Sequence, residues 1–138
     1  MRDNILTFNT VSNKVYDILT KRGYEPVRGE DGIECSVGGV KLSFYLIEDD
    51  VFGYSAEFKL QRELSDEEKS EISEAYLKTE IDDVAFENLH IDGEIAYLSS
   101  AFFLDMYDDG MVELAVKMLE EKGGAVDLLK SKQVVGES

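Results

Sequence analysis

Apolar side chains recur every three or four positions in three segments, the spacing of helices that bury one face. We predict helices over roughly residues 4–22, 66–79 and 109–122. Gly23 is suited to end the first helix, and Ser65 followed by Glu68 has the pattern of a capping box at the start of the second. Residues 125–130 could add one more helical turn or two.

Between the helices, apolar and polar residues alternate, which predicts strands with one buried face. The stretch GIECSVGGVKLSFYLI contains Gly38-Gly39, a pair suited to a two-residue hairpin loop that pairs Val37 with Val40. The alternation over residues 54–60 extends the same sheet by another strand, and residues 24–28 could form a short edge strand.

A second hairpin is predicted from FENLHIDGEIAYLSSAFFLD, residues 86–105, with Asp92-Gly93 as its loop and Ile91 opposite Glu94. This hairpin differs from the first because both of its faces carry apolar side chains. One face holds Leu89, Ile91, Ala96, Leu98 and Phe102. The other face holds Val84, Phe86, Ile95, Tyr97, Ala101 and Phe103.

Helices can cover only one side of a single sheet, so one apolar face of this hairpin needs another cover. We therefore predict an interface that serves homodimerisation, partner binding or both. The residues expected to form it are Leu89, Ile91, Ala96, Leu98 and Phe102. The opposite face of the hairpin is the alternative.

These elements predict an α+β fold with an antiparallel sheet of about five strands and three helices, in the order α-β-β-β-α-β-β-α. We expect a single domain over residues 1–138. Its core is predicted over about residues 5–122, and residues 123–138 would form a C-terminal extension with a frayed tail.

The formal net charge is −16, and all of it falls on residues 48–138 because the first 47 residues sum to zero. So acidic a surface repels phosphate backbones and anionic lipids, which argues against nucleic-acid and membrane partners. The chain has one cysteine, and its start lacks the pattern of a signal peptide. We expect a cytoplasmic protein.

Candidate chemical groups are few. The single histidine, His90, has no second ligand near it in sequence, and Cys35 falls on the apolar face of the first hairpin. The segment DMYDDG, residues 105–110, resembles a calcium loop but has Tyr107 and Val116 where ligands are needed, so helix capping by Asp108 or Asp109 explains it better. We predict no catalytic residue, no cofactor and no metal site.

The order of elements resembles the fold shared by the type III secretion chaperones and the YbjN family of bacterial sensory transduction regulators. The segments that carry the resemblance are TKRGYEP, GIECSVGGVKLSFYLI, YSAEFKL, SDEEKSEISEAYLK, FENLHIDGEIAYLSSAFFL and MVELAVKMLEE. The resemblance implies a cytoplasmic, dimeric, non-enzymatic module that receives another chain in extended form.

Three classes of function remain open. The first is a chaperone-like or regulatory module that binds a protein or peptide and forms a homodimer. The second is an immunity or antitoxin protein whose acidic surface binds a basic toxin. The third is a small enzyme that uses carboxylates, which would need a concave pocket with several convergent acids.

Overall fold

The computed structural model describes residues 8–29, 32–48, 50–78, 86, 88–120 and 124–133. The helices among them are α1 (Phe8–Lys21), α2 (Asp66–Leu77), α3 (Asp109–Glu120) and α4 (Gly124–Ser131). The strands are β1 (Val27–Arg28), β2 (Gly32–Val37), β3 (Val40–Glu48), β4 (Val51–Lys59), β5 (Asn88–Asp92) and β6 (Ile95–Phe103). A single 3₁₀ turn, Leu104–Met106, joins β6 to the segment before α3.

The described strands form one antiparallel sheet in the order β1-β2-β3-β4-β6-β5. This confirms the α+β class and the antiparallel sheet, whereas the predicted counts of about five strands and three helices need correction. The sixth strand is the short edge strand β1, and the fourth helix is α4. Both elements are too short for sequence periodicity to establish, since a two-residue strand has no alternation to read.

The first hairpin has the predicted register. Val37 pairs with Val40, and the loop residues Gly38 and Gly39 have φ angles of 59° and 83°. Positive φ at both loop positions is typical of a type I′ turn, which glycine adopts without a steric penalty. The hairpin therefore forms where its two glycines allow it.

The second hairpin forms with a different register. Asp92 pairs with Ile95, so the loop is Gly93-Glu94 rather than Asp92-Gly93. Only Gly93 has a positive φ, 58°, which suits a turn with glycine at its first central position. The Leu60 amide also donates to the Glu94 carbonyl at 2.7 Å, which ties the loop to the end of β4.

Local hydrogen bonds stabilise the two helix boundaries that the sequence predicted, the end of α1 and the start of α2. After α1, the amides of Gly23 and Tyr24 donate to the carbonyls of Thr20 and Leu19, the bond pair of a Schellman motif, and Gly23 has a φ of 92°. At the start of α2, Ser65 and Glu68 form the predicted capping box. Among the described helices, none is long and apolar enough to cross a membrane.

All four helices contribute to a single apolar core on one face of the sheet, which we call the core face. Across this layer α1 packs on α3, α3 on α4, and α4 on α2. The largest fully buried side chains of the strands are Phe52, Phe58, Ile33, Leu42 and Leu98. The opposite side of the sheet is called the outer face.

The C-terminal segment is part of this core, which corrects the predicted core boundary at about residue 122. Ala125, Val126 and Leu129 of α4 are buried. Beyond α4, Gln133 forms a bridge with Leu60, and its side chain donates to the Gly39 carbonyl at 3.2 Å. The tail that was expected to fray, residues 134–138, lies outside the described residues.

Candidate functional site

The five residues predicted to form an interface all lie on the core face. Ala96 and Leu98 have no exposed surface, while Leu89, Ile91 and Phe102 are half-buried. They face inward because β6 pairs with β4, which aligns Ala96 and Leu98 with the core-facing residues of that strand. Ala96 and Leu98 therefore cannot contact another chain, whereas Leu89, Ile91 and Phe102 keep some accessible surface. The predicted alternative, the other face of the hairpin, carries side chains with more exposure.

The alternative face is only partly exposed. Ile95 and Tyr97 are half-buried, Ala101 and Phe103 are exposed, and Phe86 is fully buried against Tyr54 with ring centroids 5.3 Å apart. Val84 lies outside the described residues. The exposed part of this face is therefore the C-terminal half of β6.

Around this half of β6, several apolar side chains lie close together at the end of the sheet, with Val51, Ala101 and Phe103 on its outer face. We call Ile47, Val51, Ala101, Phe103 and Met106 the apolar patch. Phe103 is 62%, Met106 64% and Ile47 50% exposed. Val51, Ala101, Phe103 and Met106, together with Phe102, line a concavity of about 340 Å³. Phe102 is thus the one originally predicted interface residue that borders this surface.

A β-bulge brings Ile47 into the patch. The β3–β4 register shifts between Leu46 and Glu48, and the side chain of Ile47 extends over Gly53, where a β-carbon would lie 2.7 Å from Ile47 Cδ1. Gly53 pairs with Ala101 in β6, which places Ile47 beside the rest of the patch. Small residues at both positions leave room for the larger side chains around them.

Three acidic residues lie next to members of the patch, by strand pairing or along the chain. Glu48 pairs with Val51, Asp50 forms the β3–β4 turn, and Asp105 follows β6 in the 3₁₀ turn. All three are exposed. The Leu104 amide donates to the Asp50 carbonyl at 2.7 Å, which holds this turn against the end of β6. We call Glu48, Asp50 and Asp105 the acidic rim.

The outer face beyond the patch is polar. Ser43, Ser55 and Ser99 lie side by side on neighbouring strands, between Glu34 at one end and Asn88 at the other. The next row contains Ser36, Lys41, Glu57, Tyr97 and His90. The patch is therefore an apolar end of an otherwise hydrophilic surface.

The two candidate reactive side chains lie far apart in the sheet. His90 is exposed on β5, near one edge. Cys35 is buried on β2, near the other edge, and burial raises the pKa of its thiol above the usual value. A thiol with a raised pKa is a poor nucleophile at neutral pH. Among the residues that the structure describes, no group of three or more His, Cys, Asp or Glu side chains could hold a metal ion.

The segment that resembles a calcium loop caps α3, as predicted. Asp108 precedes the helix, and its Oδ1 accepts a hydrogen bond from the Gly110 amide at 2.9 Å. Tyr107 is half-buried next to this cap, and its ring lies 6.0 Å from that of Phe52. Burial, and then the neighbouring carboxylate of Asp109, raise the pKa of the Tyr107 phenol far above its usual value.

A second concavity, of about 460 Å³, lies on the outer face beside β1. Its lining includes one carboxylate, Glu34, together with Ser43, Ser55 and Tyr45. General acid–base catalysis by carboxylates needs a second, differently tuned group within reach of the substrate. The described lining does not supply a second acid.

Comparison with known proteins does not identify the role of these surfaces. No protein-family model matches the chain, and no curated protein or solved structure is significantly similar to it. The resemblance to the type III secretion chaperones and the YbjN family therefore stays a prediction, and the outer face is interpreted from its own chemistry.

Proposed function

We propose that this chain is a non-enzymatic protein-binding module that receives another polypeptide on the outer face of its sheet, at the apolar patch. The activity is chaperone-like or regulatory, in that the module holds a partner and leaves its covalent structure unchanged.

The observation that supports this proposal is the contiguous exposure of Ile47, Phe103 and Met106. Burial of apolar surface contributes about 25 cal/mol per Å², so a partner that covers these side chains gains free energy. Contiguous exposed apolar patches with a polar surround are typical of interaction sites, whereas single exposed apolar residues need no explanation. Val27 and Leu77, which are 66% and 80% exposed on other elements, are single exposed apolar residues.

The acidity of the chain favours one second candidate, an immunity-type inhibitor of a basic protein. The net charge of −16 would accelerate encounter with such a partner. An inhibitor of this class binds a folded partner and blocks its activity, whereas a chaperone-like module binds a segment of its partner. The identity and folded state of the bound protein decide between them.

Site-specific photocrosslinking in the native cells tests the proposal. A photoreactive phenylalanine analogue at position 103 should form adducts with a polypeptide, because this side chain lies in the proposed interface. The same analogue at position 77, where the side chain is 80% exposed on α2, is the control. Absence of an adduct at position 103, or the same adducts from both positions, would count against a binding site at the patch.

A further inference from the structure

We propose that the occupant of the apolar patch is a short basic segment of another protein, in which apolar anchor residues alternate with Lys or Arg. This inference rests on the proposed function and adds the chemistry of the partner to it.

The size of the patch favours a segment over a second copy of the chain. An aromatic side chain such as Phe103 offers about 150–250 Å² in all, and Ile47 and Met106 offer somewhat less. At 50–64% exposure, these three side chains of the patch present on the order of 300–400 Å². A stable interface between two folded proteins buries about 800 Å² on each partner. The polar rows next to the patch would have to supply the remainder in a homodimer.

Charge also favours a basic segment over a second copy of the chain as the occupant of the patch. A second copy docked patch to patch would bring two acidic rims together, and each copy carries a formal net charge of −16. Among the ion pairs between described residues, none includes Glu48, Asp50 or Asp105. The rim therefore offers three acidic side chains to the cations of a partner, and like charges oppose self-association.

The shape of the site suits anchors flanked by cations. The concavity of about 340 Å³ between Val51, Phe103 and Met106 can take an aliphatic or aromatic side chain. Asp50 and Asp105 do not line it, but each directly precedes a lining residue in the chain, Val51 and Met106. In an extended segment the neighbours of an anchor point away from the concavity, and the long, flexible side chain of Lys or Arg can bend back to the carboxylates of the rim.

Fluorescence anisotropy with labelled synthetic peptides tests the inference on the full chain. The probe is a peptide of alternating Leu and Lys; one reference peptide has Glu in place of Lys, and another has Ser in place of Leu. We expect the Leu-Lys peptide to bind at least tenfold more tightly than either reference. Its affinity should fall as ionic strength rises from about 0.01 to 0.15 M, where the screening length shortens from about 30 to 8 Å.

Matched variants assign the binding to the patch. Phe103→Ser should weaken binding at least tenfold, and its control is Leu77→Ser, which removes an exposed apolar side chain from α2. The pair Asp50→Asn and Asp105→Asn should weaken binding several-fold and flatten its salt dependence. The control for charge is the pair Glu71→Gln and Glu74→Gln, two exposed acids of α2. Circular dichroism confirms that each variant is folded.

Each other outcome overturns a defined part of the argument. Equal binding of the Leu-Glu peptide, or loss of affinity in the α2 charge control as large as in the rim variant, overturns the basic partner and leaves the patch as an interface. Absence of peptide binding together with a dimer that Phe103→Ser dissociates, as seen by light scattering, makes a second copy the occupant. If Phe103→Ser changes neither peptide binding nor oligomeric state, the inference fails, and the crosslinking experiment decides separately on the proposed function.

Discussion

Adjacent phenylalanines in β6 have opposite environments. Phe102 faces the core side, where its ring centroid lies 5.3 Å from that of Phe52 and 6.0 Å from that of Tyr54. Phe103 points to the outer face and is 62% exposed. Alternation along a strand thus separates one residue that contributes to folding from another that is available for binding.

The two residues should respond differently to truncation. Phe102→Ala is expected to lower the free energy of unfolding toward the low end of the 3–5 kcal/mol typical of buried Phe, since it is half-buried, whereas Phe103→Ala should cost less than about 1 kcal/mol. Urea titration followed by circular dichroism measures both values. Equal losses would show that Phe103 is buried in the folded chain.

At the scale of elements, α4 forms where one or two helical turns were expected, but the prediction from sequence placed it outside the core. Its packing on α2 and α3 and the burial of Leu129 make it a structural part of the core. We expect Leu129→Ala to lower the free energy of unfolding by about 2–5 kcal/mol, the cost of a buried cavity. Leu77→Ala, at a side chain that is 80% exposed, should change it by no more than about 0.5 kcal/mol. Similar urea midpoints for the two variants would mean that α4 is peripheral.

Glu68 connects the start of α2 with the segments before α2 and after α4, and its contacts predict that the stability of the fold depends on pH. Its carboxylate accepts two hydrogen bonds from Arg62, at 2.7 and 2.8 Å, accepts one from the Ser65 amide, and lies 3.2 Å from Lys132 beyond α4. These contacts, Arg62 first and then Ser65, hold the pKa of Glu68 well below its usual range. The folded state therefore favours the ionised carboxylate more strongly than the unfolded state does.

A depressed folded pKa contributes stability that is complete above the unfolded pKa of about 4.3 and is lost as the pH falls toward the folded pKa. Glu68→Gln should accordingly be less stable than the wild type at pH 7. The difference should persist down to about pH 5 and shrink below about pH 4. Urea titrations over this pH range measure it, and Glu67→Gln, in the same helical turn, is the control. A difference that grows at acidic pH would contradict the assignment.

The second hairpin shows which part of the fold the sequence could predict. The predicted register was two residues out, and a shift by two keeps every strand residue on its face, so the strand residues of the two apolar sets were separated correctly. Phe86 was assigned to the wrong set, because it precedes β5 and packs in the core against Tyr54. Which set is buried depends on how β6 pairs with β4, and local pattern carries no information on that pairing. Ile47 and Met106 escaped notice because one lies at a bulge and the other beyond the strand, where alternation ends.

At the scale of the whole molecule, the uneven charge affects stability as well as recognition. The excess of acidic residues lies in residues 48–138, which include β4, β5, β6 and three of the four described helices. Mutual repulsion among them opposes the compact state. Surface ion pairs offset only part of it, since exposed pairs contribute about 0–1 kcal/mol each.

Stability should therefore increase with salt. When NaCl is raised from about 0.01 to 0.15 M, the screening length shortens from about 30 to 8 Å, which weakens the long-range repulsion more than the close ion pairs. We expect a higher thermal midpoint, measured by circular dichroism at neutral pH. A midpoint that falls with salt would mean that the ion pairs outweigh the repulsion.

The position of β6 between β4 and β5 also determines when the sheet can be completed during translation. The strands β1 to β4 leave the ribosome as a meander, but the free edge of β4 has no neighbour until α2 and the second hairpin have been synthesised. During that interval the apolar side chains of β4 stay exposed to solvent, and its unpaired backbone groups can form hydrogen bonds with a strand of another nascent chain. A nascent chain that has reached α2 but not β6 is thus vulnerable to aggregation, and α4 closes the core only after β6 and α3 have emerged.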